Sequence, residues 1–338
     1  MEGAVYRNLG APRSEVVLGP GKGLDNAVVA LPGGRALILT ADPVSMIPGL
    51  GPKTSAWLSV HLIASDYTTC GSSPQFASFT FNFPPTVGSS DRSSYLKEVG
   101  HACADLGVSI VAGHTGSYPG SGLTVIGGGT MFGISRRGAY VDPSMARKGD
   151  AILMTKEAAI EATASLSNSF PNYTAVKVGE LLSRKAKGLV ASCSTVKDAL
   201  LAASAGLGPR GVSSMHDATE GGVLGALEEM SSACGNSFEV QIEDIPVLPE
   251  SSAVCSAFGL DPLRTMGEGA LLLTCHPAKV REVQRTLSRG GVPVVEIGAV
   301  KAGEGLWLSG PGDSRRRFEP APDGYWAAYD KASRASEG

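Results

Sequence analysis

The chain has 338 residues, of which 43% are hydrophobic and 18% charged, and it carries a formal net charge of -3 and 44 glycines. This length favours two domains, each with its own core, and the composition excludes a disordered chain or a coiled coil. Basic residues are scattered rather than clustered, so nucleic acid is not expected as a partner. No apolar run reaches the length of a membrane span.

The six cysteines are widely spaced and form neither a CxxC pair nor a zinc-type cluster. We therefore expect small, reduced and mostly buried thiols. The opening segment MEGAVYRNLGAPRSE lacks the apolar run of a signal peptide. Together these features predict a cytoplasmic protein that binds neither nucleic acid nor a membrane.

The N-terminal half alternates short apolar strands with glycine-rich turns. Its pattern predicts a hairpin over 26–42, a helix over 54–64, a strand over 75–83, a helix over 93–106, and strands over 108–113 and 123–134. A loop is predicted over 114–122. Because the strands do not alternate strictly with helices, the fold class is a mixed α/β (α+β) fold.

The hydrophobic pattern pauses over 141–150, which predicts a boundary between a domain at 1–145 and a second at 146–338. The second half is predicted to contain helices over 156–170, 173–186, 196–203 and 278–291, and strands over 213–216, 268–275, 292–300 and 303–310. The last two strands are predicted to pair. A further helix follows Gly222, because Val223, Leu224, Leu227 and Met230 recur at helical spacing.

Four aspartates share one setting, at a point where a strand or helix meets a turn: Asp25, Asp42, Asp66 and Asp217. Carboxylates gathered from separate loops suit Mg²⁺, which takes oxygen ligands and is usually held together with the phosphates of a nucleotide. The alternative for each residue is a role in a turn or helix cap. The metal hypothesis therefore depends on the four together.

Two glycine segments indicate contact with an anion. Gly221 and Gly222 open the helix after Asp217, where backbone N–H groups and the helix dipole favour a phosphate. The segment GPGKG carries Lys22, which would close over phosphates as a lid, although its spacing does not match the P-loop.

Read in order, GLDNAV, LTADPV, SDYTTCGSSP, AGHTGSYPG and HDATEGGVLGAL resemble five motifs of one superfamily. It contains aminoimidazole ribonucleotide (AIR) synthetase, selenophosphate synthetase, thiamine monophosphate kinase and the hydrogenase-maturation protein that makes the nitrile ligand. The chain looks most similar to the AIR synthase-related branch. The resemblance implies a two-domain PurM-like fold, with an N-terminal domain that forms a β-barrel between the subunits of a homodimer and a C-terminal α/β domain.

The resemblance also implies an enzyme that binds ATP with Mg²⁺ and activates a small, unidentified acceptor by phosphoryl transfer. Asp66 and His114 would then be catalytic. The metal ligands implied are Asp25, Asp42, Asp66 and Asp217. The residues implied in nucleotide binding are Lys22, Gly23, Asp42, Gly113, Thr115, Lys156, Thr219, Gly221 and Gly222.

This sequence departs from its relatives at two places. His114 stands where the kinase, the purine enzyme and the maturation protein carry an acid, so it donates to a phosphate, carries a proton, or is structural. No cysteine precedes Asp25 and none lies in the ending YDKASRASEG, which argues against the selenophosphate and maturation activities. Cys70 is interpreted as a packing residue. Glu268 stands where the relatives keep a polar residue facing the cleft, and the alternative is a solvated residue at the end of a strand. The alternative functions are an inactive nucleotide-binding accessory protein, a hydrogenase-maturation-like protein that lacks the C-terminal cysteine, and a two-domain binding protein without nucleotide.

Overall fold

The computed structural model describes residues 2–310 and 314–336. The first sheet lies in the N-terminal half, and its strands are β1 (Val16–Leu18), β2 (Ala27–Leu31), β3 (Arg35–Val44), β4 (Phe76–Phe83), β5 (Ser109–Ser117) and β6 (Gly127–Arg136). Their spatial order is β1-β2-β3-β6-β4-β5. Strands β4 and β5 are parallel, and the other neighbours are antiparallel. Strand β5 therefore lies at one edge.

Among the residues described, the N-terminal half contains three helices, of which the second and third pack on this sheet. They are α1 (Glu2–Val5), α2 (Gly51–Thr68) and α3 (Ser89–Asp105). Alternate residues of β4, including Phe79, Phe81 and Phe83, are buried against α2 and α3, as expected for a strand that buries one face. The Tyr95 ring of α3 meets Phe81 and Phe83 edge-on, with its hydroxyl bonded to Ser59 of α2. This core fixes the orientation of α2 and hence the position of its C-terminal turn.

The second sheet lies in the C-terminal half. Its strands are β7 (Ala151–Thr155), β8 (Val212–Asp217), β9 (Ser237–Gln241), β10 (Leu271–Cys275), β11 (Val294–Lys301), β12 (Leu306–Gly310) and β13 (Ser314–Arg317). The spatial order is β13-β12-β9-β11-β7-β10-β8. Strands β9 and β12 are parallel, and the other neighbours are antiparallel.

In the part of the chain that the structure describes, the C-terminal half contains eight helices. They are α4 (Ile160–Ser169), α5 (Pro171–Val178), α6 (Glu180–Gly188), α7 (Val196–Ser204), α8 (Gly222–Cys234), α9 (Pro249–Phe258), α10 (Val280–Arg289) and α11 (Tyr325–Ser336). Helices α7, α8 and α10 pack on the two faces of the second sheet, whereas α4, α5, α6, α9 and α11 pack on one another. In β10, Leu272 packs in the core under α8, whereas Leu271 and Leu273 pack in the core under α7 and α10. Strand β10 is therefore buried on both faces, which explains its continuous apolar sequence. Within the described residues, no helix combines the length and the apolarity that crossing a membrane requires.

Most predicted elements are present, but three predictions about local structure were wrong. Residues 114–117 belong to β5 rather than to a loop. The helix predicted over 173–186 is divided into α5 and α6 at Gly179, whose φ of 85° is not helical. Strand β12 pairs with β9 and β13 rather than with β11, because the unpredicted strand β9 lies between them. The two sheets lie on either side of the predicted boundary at residue 145, which stays a prediction.

Candidate functional site

The four predicted aspartates converge from both halves of the chain. Asp25 lies just before β2, Asp42 lies in β3, Asp66 is in the last turn of α2, and Asp217 is the last residue of β8. Carboxylate oxygens of Asp66, Asp217 and Glu268 lie within 4.8 Å of one another. Residues far apart in sequence thus form one acidic cluster where the two sheets meet.

The cluster lies at a cleft of about 360 Å³. Several predicted site residues line it, namely Lys22, Gly23, Asp25, Asp42, Asp66 and Thr219. Further acidic residues line it too, namely Glu161, Glu220, Glu229 and Glu268. Tyr325 and Trp326 of α11 form part of the wall. A cleft of this charge repels an anion unless cations neutralise it.

Several oxygens in the cluster have no donor. Both carboxylate oxygens of Asp217, one of Asp25 and one of Glu268 are buried and accept no hydrogen bond from any described residue. Asp217 is 0% exposed and Glu268 is 4% exposed. Because a buried ionised carboxylate without a partner is costly, these groups require protons or a cation. Oxygen-only ligands of this kind match the preference of Mg²⁺.

Burial and mutual repulsion raise the pKa values of these acids. Burial first, and Glu220 second, raises the pKa of Asp42 from an ordinary 3.8 to about 7. Burial, followed by neighbouring carboxylates, raises the pKa values of Asp217 and Glu161 to about 8. The pKa of Asp66 is also well above its usual range for the same reasons. At neutral pH the cation-free cleft therefore holds protons, which a metal ion would displace.

His216 is a site residue that the sequence interpretation missed. Its Nδ1 lies 2.7 Å from Asp25 Oδ1, and its Nε2 lies 3.2 Å from Glu229 Oε2. Burial lowers the pKa of His216, but the carboxylates of Asp25, Glu229 and Asp217 outweigh burial and raise it well above 6.5. The signal that could have identified His216 is its position. It is an ionisable residue directly before Asp217, in a strand whose residues are all buried.

The glycine segment before β2 packs against α8. Lys22 Nζ lies 3.1 Å from Glu228 Oε2, and both Lys22 and Gly23 line the cleft. Gly23 has a φ of 68°, and a Cβ there would lie 2.9 Å from the Glu229 carbonyl oxygen. Only glycine fits without displacing this backbone. The segment is thus held at the rim of the cleft.

The backbone N–H groups at the start of α8 already donate hydrogen bonds to other groups of the protein. Gly221 N–H donates to Asp323 Oδ2 at 3.0 Å, and Gly222 N–H donates to the Thr219 carbonyl oxygen at 3.0 Å. Gly222 has a φ of 63°, and a Cβ there would lie 2.7 Å from the Thr265 carbonyl oxygen. Close backbone packing therefore already requires glycine at 222. A phosphate contact at Gly221 requires Asp323 to release that N–H.

Lys156 does not line the cleft. Its ammonium lies 3.2 Å from Asp198 Oδ2 and donates to the carbonyl oxygens of Ser192 and Ser194 at 3.0 and 2.8 Å. An ammonium has three donors, and these three acceptors use them. The structure thus places the predicted anion partner in a buried ion pair.

Gly113, His114 and Thr115 lie apart from the cleft within one subunit. All three are on the edge strand β5, and His114 Nε2 lies 2.7 Å from the Tyr118 hydroxyl. Gly113 is in register with Asp42 across β4 and β6. Three strand spacings correspond to about 14 Å. Within one chain, His114 is therefore too far from the aspartates to contact an anion held there.

Cys70 is buried, and its Sγ lies 3.2 Å from Ser72 Oγ. Burial raises the pKa of the thiol to about 11. Since the thiolate is the nucleophile, Cys70 is a packing residue in this environment, as the sequence analysis expected.

The chain matches family models over most of its length. Residues 23–135 match the AIR synthase related protein N-terminal domain, and residues 147–309 match its C-terminal domain. Carbamoyl dehydratase HypE of Cupriavidus necator is 30% identical over 259 residues, which cover 76% of this chain and 70% of that protein. HypE of Rhizobium leguminosarum bv. viciae is 26% identical over 261 residues, 75% of this chain and 70% of that protein.

Solved structures share the fold at lower sequence identity. A HypE-HypF complex superposes with a TM-score of 0.76 at 19% identity, covering 95% of this chain and 99% of that chain. HypE in complex with ATP gives 0.68 at 20% identity, and AaThiL complexed with AMPPCP and TMP gives 0.67 at 18%. Each of the two superpositions covers 95% of this chain. They cover 95% of the HypE chain and 94% of the AaThiL chain. The PurM-like two-domain fold is thereby confirmed, and the chain belongs to the AIR synthase related family.

Proposed function

We propose that this protein is an ATP-binding, Mg²⁺-dependent enzyme that activates a small acceptor by phosphoryl transfer from ATP. The observation that carries the proposal is the cluster of buried carboxylates with unpaired oxygens beside a cleft. Because such a cleft repels the phosphates of a nucleotide, cations must accompany them. Relatives described as carbamoyl dehydratases, and similar folds solved with ATP or AMPPCP, support a nucleotide as the ligand.

In this proposal Asp25, Asp42, Asp66 and Asp217 hold Mg²⁺. Mg²⁺ would screen the phosphates and stabilise the charge that develops during transfer. Burial of these carboxylates keeps them in fixed positions, so they need little reorganisation when the nucleotide binds.

Three residues at the rim of the cleft are proposed to hold the nucleotide. Lys22 is placed to exchange its contact with Glu228 for a phosphate. Gly23 leaves space for the chain to approach the ligand, and Thr219 lines the same cleft. These groups bind and orient the phosphates while the acidic cluster holds the cation.

A homodimer is proposed to complete this site. Strand β5 is an edge strand of nine residues whose Ile110 and Val111 are 47% and 54% exposed. An exposed apolar edge of this kind is a template for pairing with another strand. If two copies pair to form an intersubunit barrel, His114 of one copy is proposed to donate to the phosphates held by the other. Sedimentation at low concentration should then show a stable dimer.

The experiment is calorimetric titration of Mg-ATP into wild type and Asp66→Asn, with ADP release measured in the same samples. We expect the variant to bind more than tenfold more weakly, a loss above about 1.4 kcal/mol. Asp91→Asn, an exposed position in α3, is the matched control and should bind like wild type. Equal affinity for Asp66→Asn would contradict the proposal. Binding without ADP release in the presence of cell metabolites would favour the inactive accessory protein.

The role of His114 is tested by mixing subunits. His114→Ala and Asp66→Asn should each be inactive as homodimers, but a coexpressed heterodimer contains one intact site. Recovery of activity in the purified heterodimer is expected. A heterodimer as inactive as both parents would contradict donation by His114 to the site of the other copy.

A further inference from the structure

Two groups of ligand atoms share Asp217. One consists of Asp66, Asp217 and Glu268, which offer only carboxylate oxygens. The other consists of Asp25, His216 and Asp217, and it includes an imidazole nitrogen. Within each group the ligand atoms lie within 4.8 Å of one another. Their chemistry differs, since oxygen ligands suit Mg²⁺ whereas imidazole suits first-row transition ions.

The orientation of His216 is that of a metal ligand. The residue is 3% exposed, and its Nε2 lies at hydrogen-bonding distance, 3.2 Å, from Glu229 Oε2. Metal-binding histidines usually donate the second ring N–H to a carboxylate, which fixes the tautomer. The other nitrogen, Nδ1, is buried and faces the two carboxylates of this group, 2.7 Å from Asp25 Oδ1 and 4.0 Å from Asp217 Oδ1.

The carboxylates beside Nδ1 have buried oxygens that accept no hydrogen bond from any described residue. Asp217 is fully buried with both oxygens unpaired, and Asp25 Oδ2 is buried and unpaired. A proton on Nδ1 would satisfy only Asp25 Oδ1, whereas a cation in its place would be bound by all three side chains and would satisfy the unpaired oxygens as well. Asp217 can offer one oxygen to this group and the other to the group with Asp66 and Glu268.

We infer that Asp25, His216 and Asp217 form a second cation site, selective for a first-row transition ion such as Mn²⁺ over Mg²⁺, with Glu229 orienting the histidine. Of the aspartates proposed above to hold Mg²⁺, Asp66 and Asp217 keep it together with Glu268, Asp25 serves the second ion, and Asp217 contributes to both sites. The inference deepens the proposed function by adding a second cation to the same cleft and rests on it for the role of the first. Binding of Mn²⁺ itself requires no nucleotide.

The test uses the full chain, freed of metal with EDTA and titrated with Mn²⁺ in excess Mg²⁺. Free Mn²⁺ is measured by electron paramagnetic resonance. Wild type should retain one Mn²⁺ that Mg²⁺ does not displace. His216→Gln keeps an amide donor for Glu229 but removes the ligand nitrogen, so it should bind Mn²⁺ at least tenfold more weakly. His101→Gln, the same change at an exposed histidine, should bind like wild type.

Two measurements keep the test decisive if His216→Gln fails to fold. Pulsed electron paramagnetic resonance of Mn²⁺ bound to wild type should show coupling to an imidazole nitrogen. The coupling should persist in His101→Gln. Glu229→Gln should lower the affinity for Mn²⁺ about tenfold, as expected for a residue that orients the metal-binding histidine. The inference is overturned if wild type holds no Mn²⁺ in excess Mg²⁺, if nitrogen coupling is absent, or if a folded His216→Gln binds equally well. Loss of ATP binding alone would count against the proposed function and leave these results unchanged.

Discussion

Replacement of Asp42 by asparagine should change how stability depends on pH. The folded protein raises the pKa of Asp42 to about 7, chiefly by burial, whereas the unfolded chain has the ordinary value of 3.8. Between these values the folded state holds a proton that the unfolded state has lost. Unfolding then releases a proton, so the free energy of unfolding falls as pH rises through this window.

The magnitude follows from the shift. One proton corresponds to a slope of about 1.4 kcal/mol per pH unit, and the full shift to about 4 kcal/mol. Asparagine does not titrate, so in Asp42→Asn the free energy of unfolding should not show the part of the fall with pH that is due to residue 42. The variant should gain stability relative to wild type as pH rises from about 4 to about 7 and then keep a constant advantage.

Urea-induced unfolding in EDTA at a series of pH values measures this difference. Asp91→Asn, at an exposed position far from the cleft, supplies the baseline for the substitution itself. Adding Mg²⁺ should stabilise wild type more at high pH than at low pH, because the cation competes with protons for the same carboxylates. Parallel curves for wild type and Asp42→Asn would refute the reasoning that burial protonates this acid.

Three further substitutions test the packing around the cleft by their effect on the free energy of unfolding. Lys156→Met leaves Asp198 buried without its cation and should cost about 3–5 kcal/mol, much of which Asp198→Asn in the same chain should restore. Asp323→Ala removes the acceptor of three hydrogen bonds at the start of α8 and α11 and should cost about 1–3 kcal/mol, whereas the exposed Asp330→Ala should cost less than about 0.5 kcal/mol. Leu273→Ala, in a strand buried on both faces, should cost about 2–5 kcal/mol, and a loss below about 1 kcal/mol would contradict that burial.

The sequence by itself determined the two-domain α/β class and the family. Hydrophobic periodicity depends on local neighbours, so the hairpin of β2 and β3 and the helix after Gly222 were predictable. The five motifs also indicated the aspartates, because each lies at the end of a local element. The pairing partner of β12 was not predictable, since it depends on β9, a short strand more than sixty residues away in sequence.

Tertiary structure decided which of these residues share one site. It places Asp25, Asp66 and Asp217 within one cluster and adds His216, because β8 and the end of α2 meet between the two sheets. It also engages Lys156 with Asp198, outside the cleft. Electrostatic interactions act over a few ångströms in space regardless of distance along the chain, so the ligand sets and the raised pKa values exist only in the folded protein.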